Sequence, residues 1–189
     1  MPFPELYILR HGETEWNAEN RMQGALNSPL TSKGEADAAR QGAILAQLDL
    51  TGFQFWCSPQ GRAVQTAGIA LGRIAAHIRT DDRLREIGVG DWAGLLRDTL
   101  PMPGGPDPVA AQYAMAPNGE GFARVEARCR DFLSDLTGPA VLVTHGITSR
   151  VLRRLVAGDA AITVPTAHGG QGRVYHLKDG VQSLLDATA

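Results

Sequence analysis

Short apolar runs alternate along the chain with longer stretches in which apolar side chains recur every three or four residues. The short runs have strand length, and most are apolar almost throughout, which is typical of strands buried on both faces of a sheet. Four strands are predicted at residues 6–9, 53–57, 78–80 and 140–143. Later in the chain, runs at 172–177 and 181–185 flank Lys-Asp-Gly and predict a closing hairpin.

Helices are predicted between these strands from the apolar periodicity and from residues that begin and end helices. They cover residues 32–48, 59–71 and 120–136, and a fourth helix follows His145 and ends at Gly158. Ser32 with Glu35 forms a capping box for the first helix, and Ser58 with Pro59 begins the second. Alternating strands and helices predict an α/β fold with three layers, α/β/α, in which a mostly parallel sheet has helices on both faces.

Residues 88–118 differ from the rest of the chain because they are rich in Gly and Pro. The stretch 101–108 cannot form the interior of a helix or of a central strand. We interpret this region as an excursion over the surface, acting as a lid or a substrate wall. The chain is therefore predicted to be one domain, residues 1–189, with a short insertion around 93–119.

The composition is that of a soluble globular protein: 189 residues, 43 % hydrophobic and 20 % charged, with a formal net charge of −2. This charge gives no support to a nucleic-acid groove or a basic membrane face, so neither partner is expected. Cys57 and Cys129 fit neither a zinc spacing nor a disulfide framework. Without a recognisable signal peptide or membrane-spanning run, the expected location is the cytoplasm. The sequence does not indicate an oligomeric state.

Polar residues follow three of the predicted strands, at the point where each strand ends. Arg10 and His11 follow the first strand, Arg62 lies in the first turn of the helix after the second, and His145 follows strand 140–143. The carboxyl ends of parallel strands meet at one edge of a sheet, where ligands bind. Two arginines and two helix N-termini at that edge favour an anion, and phosphate above all. The sequence therefore predicts a phosphate site.

Histidine adds chemistry to such a site. The neutral imidazole of His11 can attack phosphorus and form a covalent phosphohistidine, provided that its other nitrogen donates to a neighbour, which we expect to be a backbone carbonyl. Gly12 would let the backbone turn sharply and approach closely. His145 could act as a cationic clamp on the phosphate, and Glu86, after strand 78–80, could protonate the leaving oxygen and later activate water.

With these residues in place, the chain resembles the histidine phosphatase superfamily, the phosphoglycerate mutase-like proteins. The matching motifs are LRHGETEWN, SPQGRAVQTA, LREIGVGDWAG and VTHG, in the order and spacing of the family. The resemblance implies a phosphorylated nucleophile at His11, a proton donor at Glu86, and no metal or cofactor. It also implies that the phosphoryl group is bound by Arg10, Arg62 and His145, and that further substrate contacts come from Asn17, Gln23, Gly24 and Gly146.

The chain departs from the mutases of this family in ways that favour hydrolysis. Residues 95–120 contain a single basic residue, Arg97, so a doubly anionic ligand would be poorly neutralised. Gln23 resembles the broad phosphatases, Gly121 replaces a serine contact, and the short insertion suggests an open or lightly covered site. We therefore predict a metal-independent phosphomonoesterase that acts on a small phosphorylated metabolite. The alternatives are a cofactor-dependent phosphoglycerate mutase and a non-enzymatic phosphoanion-binding module.

Several of these residues have simpler interpretations. Asn17 could be a turn residue that bonds its own backbone, and Glu86 could merely pair with Arg83 or Arg85. Glu13 could orient the loop without any catalytic part. His168 lies in a flexible run that could border the pocket. A wall for the leaving group could be formed by Trp16, Met22, Trp92, Met102 and Tyr113.

Overall fold

A computed structural model of the chain describes residues 3–162 and 170–186. Its strands are β1 (Leu6–Arg10), β2 (Gln54–Cys57), β3 (Arg79–Thr80), β4 (Ala140–Thr144), β5 (Val174–Lys178) and β6 (Val181–Leu185). Its α-helices are α1 (Glu15–Ala18), α2 (Ser32–Leu45), α3 (Gly61–Leu71), α4 (Pro108–Ala114), α5 (Phe122–Asp135) and α6 (Gly146–Ala157). Each of the six predicted strands is present. His168 lies outside the described residues.

The strands form one six-stranded sheet with the order β3-β2-β4-β1-β5-β6. β4 pairs in parallel with both β1 and β2, and β2 pairs in parallel with β3. The closing hairpin β5–β6 adds two antiparallel strands at the edge, beside β1. The predicted α/β fold with a mostly parallel sheet is therefore confirmed.

The two faces of the sheet each carry a hydrophobic core. Side chains alternate along β1, so that Leu6 and Ile8 pack with the helices α5 and α6, whereas Tyr7 and Leu9 pack with α2 and α3. All four side chains are under a tenth exposed. Burial on both faces explains why the central strands are apolar almost throughout, and it places helices in two layers around the sheet.

Three predicted helix starts are wrong by one or two positions: α5 begins at Phe122 rather than at residue 120, and the starts of α2 and α3 also differ. The N-cap of α2 is Thr31, whose hydroxyl accepts the N–H of Gly34 at 3.0 Å, and Ser32 is already helical. Thr31 takes the extended conformation because its own N–H donates to the Glu13 carbonyl at 2.9 Å. Helix α3 starts at Gly61 rather than at Pro59, and the Asn27 side chain, distant in sequence, accepts the Arg62 N–H at 2.8 Å. Tertiary partners therefore decide the starts of α2 and α3.

The Gly/Pro-rich insertion contains more structure than the sequence indicates. Short 3₁₀ turns occupy Gly90–Trp92 and Arg97–Thr99, and the helix α4 follows the stretch 101–107. Asp107 caps α4 by accepting the Ala110 N–H at 3.0 Å, and it pairs with Arg150 of α6. This ion pair and the capping bond stabilise a seven-residue helix that local propensity alone would leave marginal. Among the described residues, no helix is long and apolar enough to cross a bilayer.

Candidate active site

The predicted polar residues meet at the carboxyl edge of the parallel strands. Arg10 at the end of β1 lies opposite Thr144 at the end of β4, and the His11 N–H donates to the Thr144 carbonyl at 2.9 Å. The imidazole rings of His11 and His145 have centroids 5.1 Å apart and are tilted by 59°. The convergence expected from the strand ends is therefore confirmed for the two histidines.

His11 is held in the tautomer that a nucleophile requires. Its Nδ1 lies 2.7 Å from the carbonyl oxygen of Gly12. Because a carbonyl only accepts hydrogen bonds, Nδ1 carries the proton and Nε2 keeps its lone pair. Burial lowers the pKa of His11 well below 6.5, and the charges of Arg62 and Arg10 lower it further, against the opposing effect of the Gly12 bond. Nε2 is therefore unprotonated at neutral pH.

The turn after β1 is packed tightly between α2 and α3. A Cβ atom at Gly12 would lie 2.1 Å from the carbonyl oxygen of Gly34, so only glycine fits there. The Gly12 N–H donates to the Thr66 hydroxyl at 3.1 Å. These contacts fix the carbonyl that orients His11, and they confirm the close backbone approach expected of Gly12.

His145 is a second buried imidazole, and Ser58 sets its tautomer. Its Nε2 lies 2.7 Å from the Ser58 hydroxyl oxygen, which itself accepts the Gln60 N–H at 3.3 Å. The Ser58 hydroxyl proton has no other acceptor among the described residues, so it is assigned to Nε2, and this leaves the ring proton on Nδ1. Nδ1 is buried and has no hydrogen-bond partner among the residues that the structure describes. It is a donor without an acceptor, beside His11.

The charge state of His145 follows from its burial and from the charges around it. Burial lowers its pKa well below 6.5, and the charges of Arg62, His11 and Arg10 lower it further. Without a bound anion the ring is therefore neutral, and its role as a cationic clamp on a bound phosphate stays a prediction. His145 is a neutral imidazole that presents one N–H, because protonating it would bury another positive charge beside the arginines.

Arg62 brings a permanent positive charge to the histidines. Only 1 % of it is exposed, and its Nη1 and Nη2 donate to the carbonyls of Leu26 at 2.6 Å and Gly24 at 2.9 Å. Burial lowers the pKa of Arg62 to about 10, although the charges of Glu86 and Tyr113 oppose the shift. The guanidinium stays charged at neutral pH. Its Nε is buried without a partner within the described ranges, like Nδ1 of His145.

The Glu86 carboxylate lies at the N-terminus of α6. Its Oε1 accepts the N–H groups of Ile87 at 3.0 Å and Thr148 at 3.1 Å, whereas the Thr148 hydroxyl donates to the Arg85 carbonyl at 2.5 Å. Oε2 accepts one backbone bond, from Ile147 at 3.2 Å. The helix dipole and these donors hold the carboxyl in one orientation. Oε2 is the oxygen with capacity for a further bond.

The simpler interpretation of Glu86, an ion pair with a neighbouring arginine, is wrong. Arg83 pairs with Asp81 at 2.8 Å and also with Asp135, and Arg85 lies 3.5 Å from Asp82. Both arginines therefore pair with other acidic residues. The Glu86 carboxyl instead accepts hydrogen bonds from the first turn of α6.

Arg10 and Glu86 both lie close to Gly146, the first residue of α6. A Cβ atom built on Gly146 would lie 3.5 Å from Cζ of Arg10 and 3.6 Å from Oε2 of Glu86. Both charged groups therefore lie against the same helix start. With Arg62 and the two histidines, they complete the group of five side chains predicted to be catalytic. The arrangement can bind an oxyanion, attack it with an imidazole and supply a carboxyl beside it.

Comparison with known proteins identifies the family. The sequence profile of the histidine phosphatase superfamily (branch 1) matches residues 6–178. The chain belongs to this superfamily.

Solved structures of similar proteins cover nearly the whole chain. YhfR of Bacillus stearothermophilus is 32 % identical, with a TM-score of 0.74 over 97 % of this chain and 96 % of that one. A phosphoglycerate mutase of Thermus thermophilus is 33 % identical, with a TM-score of 0.74 over 96 % of this chain and 99 % of that one. The protein named "Probable phosphoglycerate mutase GpmB" of Salmonella choleraesuis is 43 % identical over 86 residues, 46 % of this chain. That match spans 39 % of the relative's length.

The residues predicted to contact substrate from the first loop of this histidine phosphatase superfamily protein have structural partners. Asn17 completes a capping box with Thr14, accepting its N–H at 3.2 Å, as the simpler interpretation expected. Gln23 donates to the Thr14 hydroxyl at 2.7 Å, and the Gly24 carbonyl holds Arg62. These residues shape the loop that positions Arg62. Their direct contact with substrate, like that of Gly146, stays a prediction.

Glu13 also orients this loop. Its Oε1 accepts the Thr31 hydroxyl at 3.0 Å, and its Oε2 lies 3.2 Å from Nζ of Lys33. Both partners belong to the start of α2. Glu13 therefore ties the loop after β1 to that helix.

Three residues that support the site were not recognised in the sequence. Ser58 was interpreted as a helix cap, but its hydroxyl orients His145. Gln60 donates to the Gly24 carbonyl at 2.8 Å and accepts the Glu86 N–H at 2.8 Å, which joins two loops. The Thr148 N–H donates to the Glu86 carboxyl. Their positions next to the motifs were visible, but their partners are distant in sequence.

The nucleophile and the residues predicted to form a wall for the leaving group differ widely in exposure. His11 is only 3 % exposed, and the expectation of an open or lightly covered site stays a prediction. Of the predicted wall residues, Met22 and Trp92 are buried in the core, and Met102 is 58 % exposed. Tyr113 is 9 % exposed and belongs to the cluster that backs the site. In the described part of the chain, no group of His, Cys, Asp and Glu could hold a metal ion.

Proposed function

We propose that the chain is a phosphomonoesterase that transfers a phosphoryl group to His11 and then to water, without a metal. One observation carries the proposal: Nε of Arg62 and Nδ1 of His145 are buried and lack partners among the described residues. Both flank an unprotonated His11. Buried donors without acceptors are costly, and an oxyanion bound between them would satisfy both. A phosphoryl group fits because three oxygens can be bound while phosphorus faces Nε2.

In the first step the lone pair of His11 Nε2 attacks phosphorus, and the bond from phosphorus to the ester oxygen breaks. The leaving oxygen takes a proton from Glu86, for which Oε2 is suited because it accepts one backbone bond, whereas Oε1 accepts two. Arg10 and Arg62 stabilise the charge that develops on the equatorial oxygens. The alcohol then departs and leaves phospho-His11 beside a Glu86 carboxylate.

In the second step water replaces the alcohol. Glu86 takes one proton from the water as the oxygen attacks phosphorus, and the bond from phosphorus to Nε2 breaks. Inorganic phosphate leaves, His11 regains its lone pair, and Glu86 regains the proton used in the first step. Every group returns to its starting state, so no co-reactant besides water is required.

A phosphoglycerate mutase is the second candidate because two of the similar proteins carry that name. In a mutase the second phosphate or carboxylate needs cations of its own. Residues 95–120 supply only Arg97, which is bonded to Tyr113. This shortage of positive charge supports hydrolysis over transfer between two positions of a phosphoglycerate.

The supporting expectations belong to the same proposal. The substrate is a small phosphorylated metabolite, and the chain works as one domain with 93–119 as its insertion. The two cysteines are buried and unpaired, which supports a cytoplasmic location.

The test measures phosphate release from p-nitrophenyl phosphate and from 3-phosphoglycerate in excess chelator. Wild type should turn over both, and His11→Gln should lose activity by a factor of about 10³ or more. His77→Gln is the matched control because His77 is exposed and outside the site. Quenching in base should reveal a phosphohistidine that is absent from His11→Gln. Isomerisation faster than release would establish the mutase, and tight binding without turnover would establish a phosphoanion-binding module.

A further inference from the structure

The insertion places a tyrosine and an arginine together. Arg97 Nη2 donates to the Tyr113 hydroxyl, and the guanidinium carbon lies 4.9 Å from the centroid of the Tyr113 ring. Gln112, fully buried, lies beside this pair: its Oε1 is 3.5 Å from Arg97 Nη1, and its Nε2 donates to the Pro101 carbonyl at 3.3 Å. These contacts connect residues 97–101 to α4, and the Tyr113 phenol lies among them.

This pair lies at the edge of the sheet that carries the phosphate site. The Arg97 N–H donates to the Asn20 carbonyl at 2.8 Å, so the insertion runs beside the loop that continues to Gly24 and Arg62. The Tyr113 ring belongs to the same buried cluster as Ile87 and Ile147, the residues that follow Glu86 and Gly146. The charges of Glu86 and Arg10 both act on the pKa of Tyr113, so the phenol lies within electrostatic reach of the site, in the cluster that packs against α5 and α6.

The bond from Arg97 uses the Tyr113 oxygen as an acceptor, so the phenolic O–H proton still needs an acceptor of its own. The oxygen accepts from Arg97, so the O–H points away from that guanidinium. Within residues 3–162 and 170–186, no acceptor for this proton is present. Burial raises the pKa of Tyr113 above 10.0, although Arg97 opposes the shift, so the proton stays on the oxygen at neutral pH. A buried O–H donor without an acceptor is available to a ligand.

We propose that Tyr113 is a specificity-determining residue that donates a hydrogen bond to an acceptor oxygen on the leaving group. The preferred substrates are then phosphate esters of polyols or other oxygenated alcohols, and simple alkyl esters are disfavoured. Arg97 is a positioning residue, because its bond fixes the direction of the phenolic proton. The proposal rests on the proposed phosphomonoesterase activity and adds the class of leaving group.

The test compares two esters with the same three-carbon chain, glycerol 3-phosphate and propyl phosphate. The measured quantity is the ratio of their kcat/KM values, which cancels general losses of activity. Wild type should favour glycerol 3-phosphate, and Tyr113→Phe should reduce the ratio about 10-fold, because a buried donor no longer distinguishes the two esters. Arg97→Met should reduce the ratio about threefold, and Arg97→Lys should restore part of it.

Arg130→Met is the matched control, because Arg130 is an exposed arginine of α5 paired with Glu126, far from the insertion in sequence. It should leave the ratio unchanged. Arg97→Met also provides the second variant if Tyr113→Phe fails to fold. An unchanged ratio in both Tyr113→Phe and Arg97→Met would overturn the proposal, as would an equal fall in Arg130→Met.

A binding measurement separates this inference from the proposed reaction. Propylphosphonate and 2,3-dihydroxypropylphosphonate cannot be hydrolysed, so calorimetry gives the ratio of their Kd values without turnover. That ratio should follow the same pattern across the variants. If wild type hydrolyses neither of these esters nor p-nitrophenyl phosphate, the phosphomonoesterase proposal fails, and the phosphonate ratio still decides whether Tyr113 recognises the leaving group.

Discussion

Lowering the pH should destabilise this fold steeply, because two imidazoles are buried without charge. The pKa values of His11 and His145 are both lowered well below 6.5, mainly by burial and then by Arg62. In the unfolded chain both rings protonate near 6.5, whereas in the folded chain they resist protonation. The unfolded state therefore binds more protons below pH 6.5, and stability present above this pH is lost as the pH falls.

The size of the effect follows from linkage. At pH 5 an imidazole that protonates only when unfolded favours unfolding by RT ln(1 + 10^1.5), which is about 2 kcal/mol. Two such imidazoles cost about 4 kcal/mol between pH 7.5 and pH 5, with a limiting slope of about 2.7 kcal/mol per pH unit. That loss is a large part of the stability of an ordinary domain, about 5–15 kcal/mol.

The assay is urea unfolding at several pH values between 7.5 and 5. His11→Gln and His145→Gln should each remove about half of the slope, because glutamine does not titrate. His77→Gln should leave the slope unchanged, since His77 is exposed. Groups outside the site are common to every variant, so their contributions to the slope cancel in the comparison. A slope in His11→Gln and His145→Gln equal to that of wild type would refute the reasoning.

Three further predictions test the site itself. Glu86→Gln should lower kcat for alkyl phosphates by about 10²–10⁴, and less for p-nitrophenyl phosphate, whose phenolate leaves without a proton; equal losses would contradict its role as acid. Ser58→Ala should lower kcat/KM about 10-fold, because the ring proton of His145 would no longer be held on Nδ1. Unchanged kinetics would show that Ser58 does not determine the tautomer of His145. Inorganic phosphate at 100 times its Kd should raise the free energy of unfolding by about 2.7 kcal/mol in urea titrations. Arg62→Met should abolish that gain; a gain that persists would place the phosphate elsewhere.

Much of the architecture could be predicted because its causes are local. The central strands are apolar almost throughout, since both faces of the sheet are covered, and this pattern needs no knowledge of partners. Arg10, His11 and His145 could be assigned to one place because parallel strands deliver their carboxyl ends to one edge. The motifs added Glu86, whose position after the short strand β3 gives little indication of its function.

The errors concern features that depend on distant contacts. Helix α4 was hidden among Gly and Pro residues because its stability comes from Asp107 pairing with Arg150, more than 40 positions away. The start of α2 moved to Thr31 because that residue bonds Glu13. Contact of Asn17 and Gln23 with substrate stays a prediction, and their bonds to Thr14 depend on the folded loop rather than on the local sequence pattern.

The sequence by itself determined the order of strands and helices, the layered fold and the chemical types that meet at the strand ends. Periodicity and helix signals follow from backbone geometry, which each segment carries alone. Only the tertiary structure decided the charge of His145 in the anion-free protein, the tautomers of both imidazoles and the pairing of Arg97 with Tyr113. These properties depend on burial and on hydrogen-bond partners from other parts of the chain, and neither exists until the chain has folded.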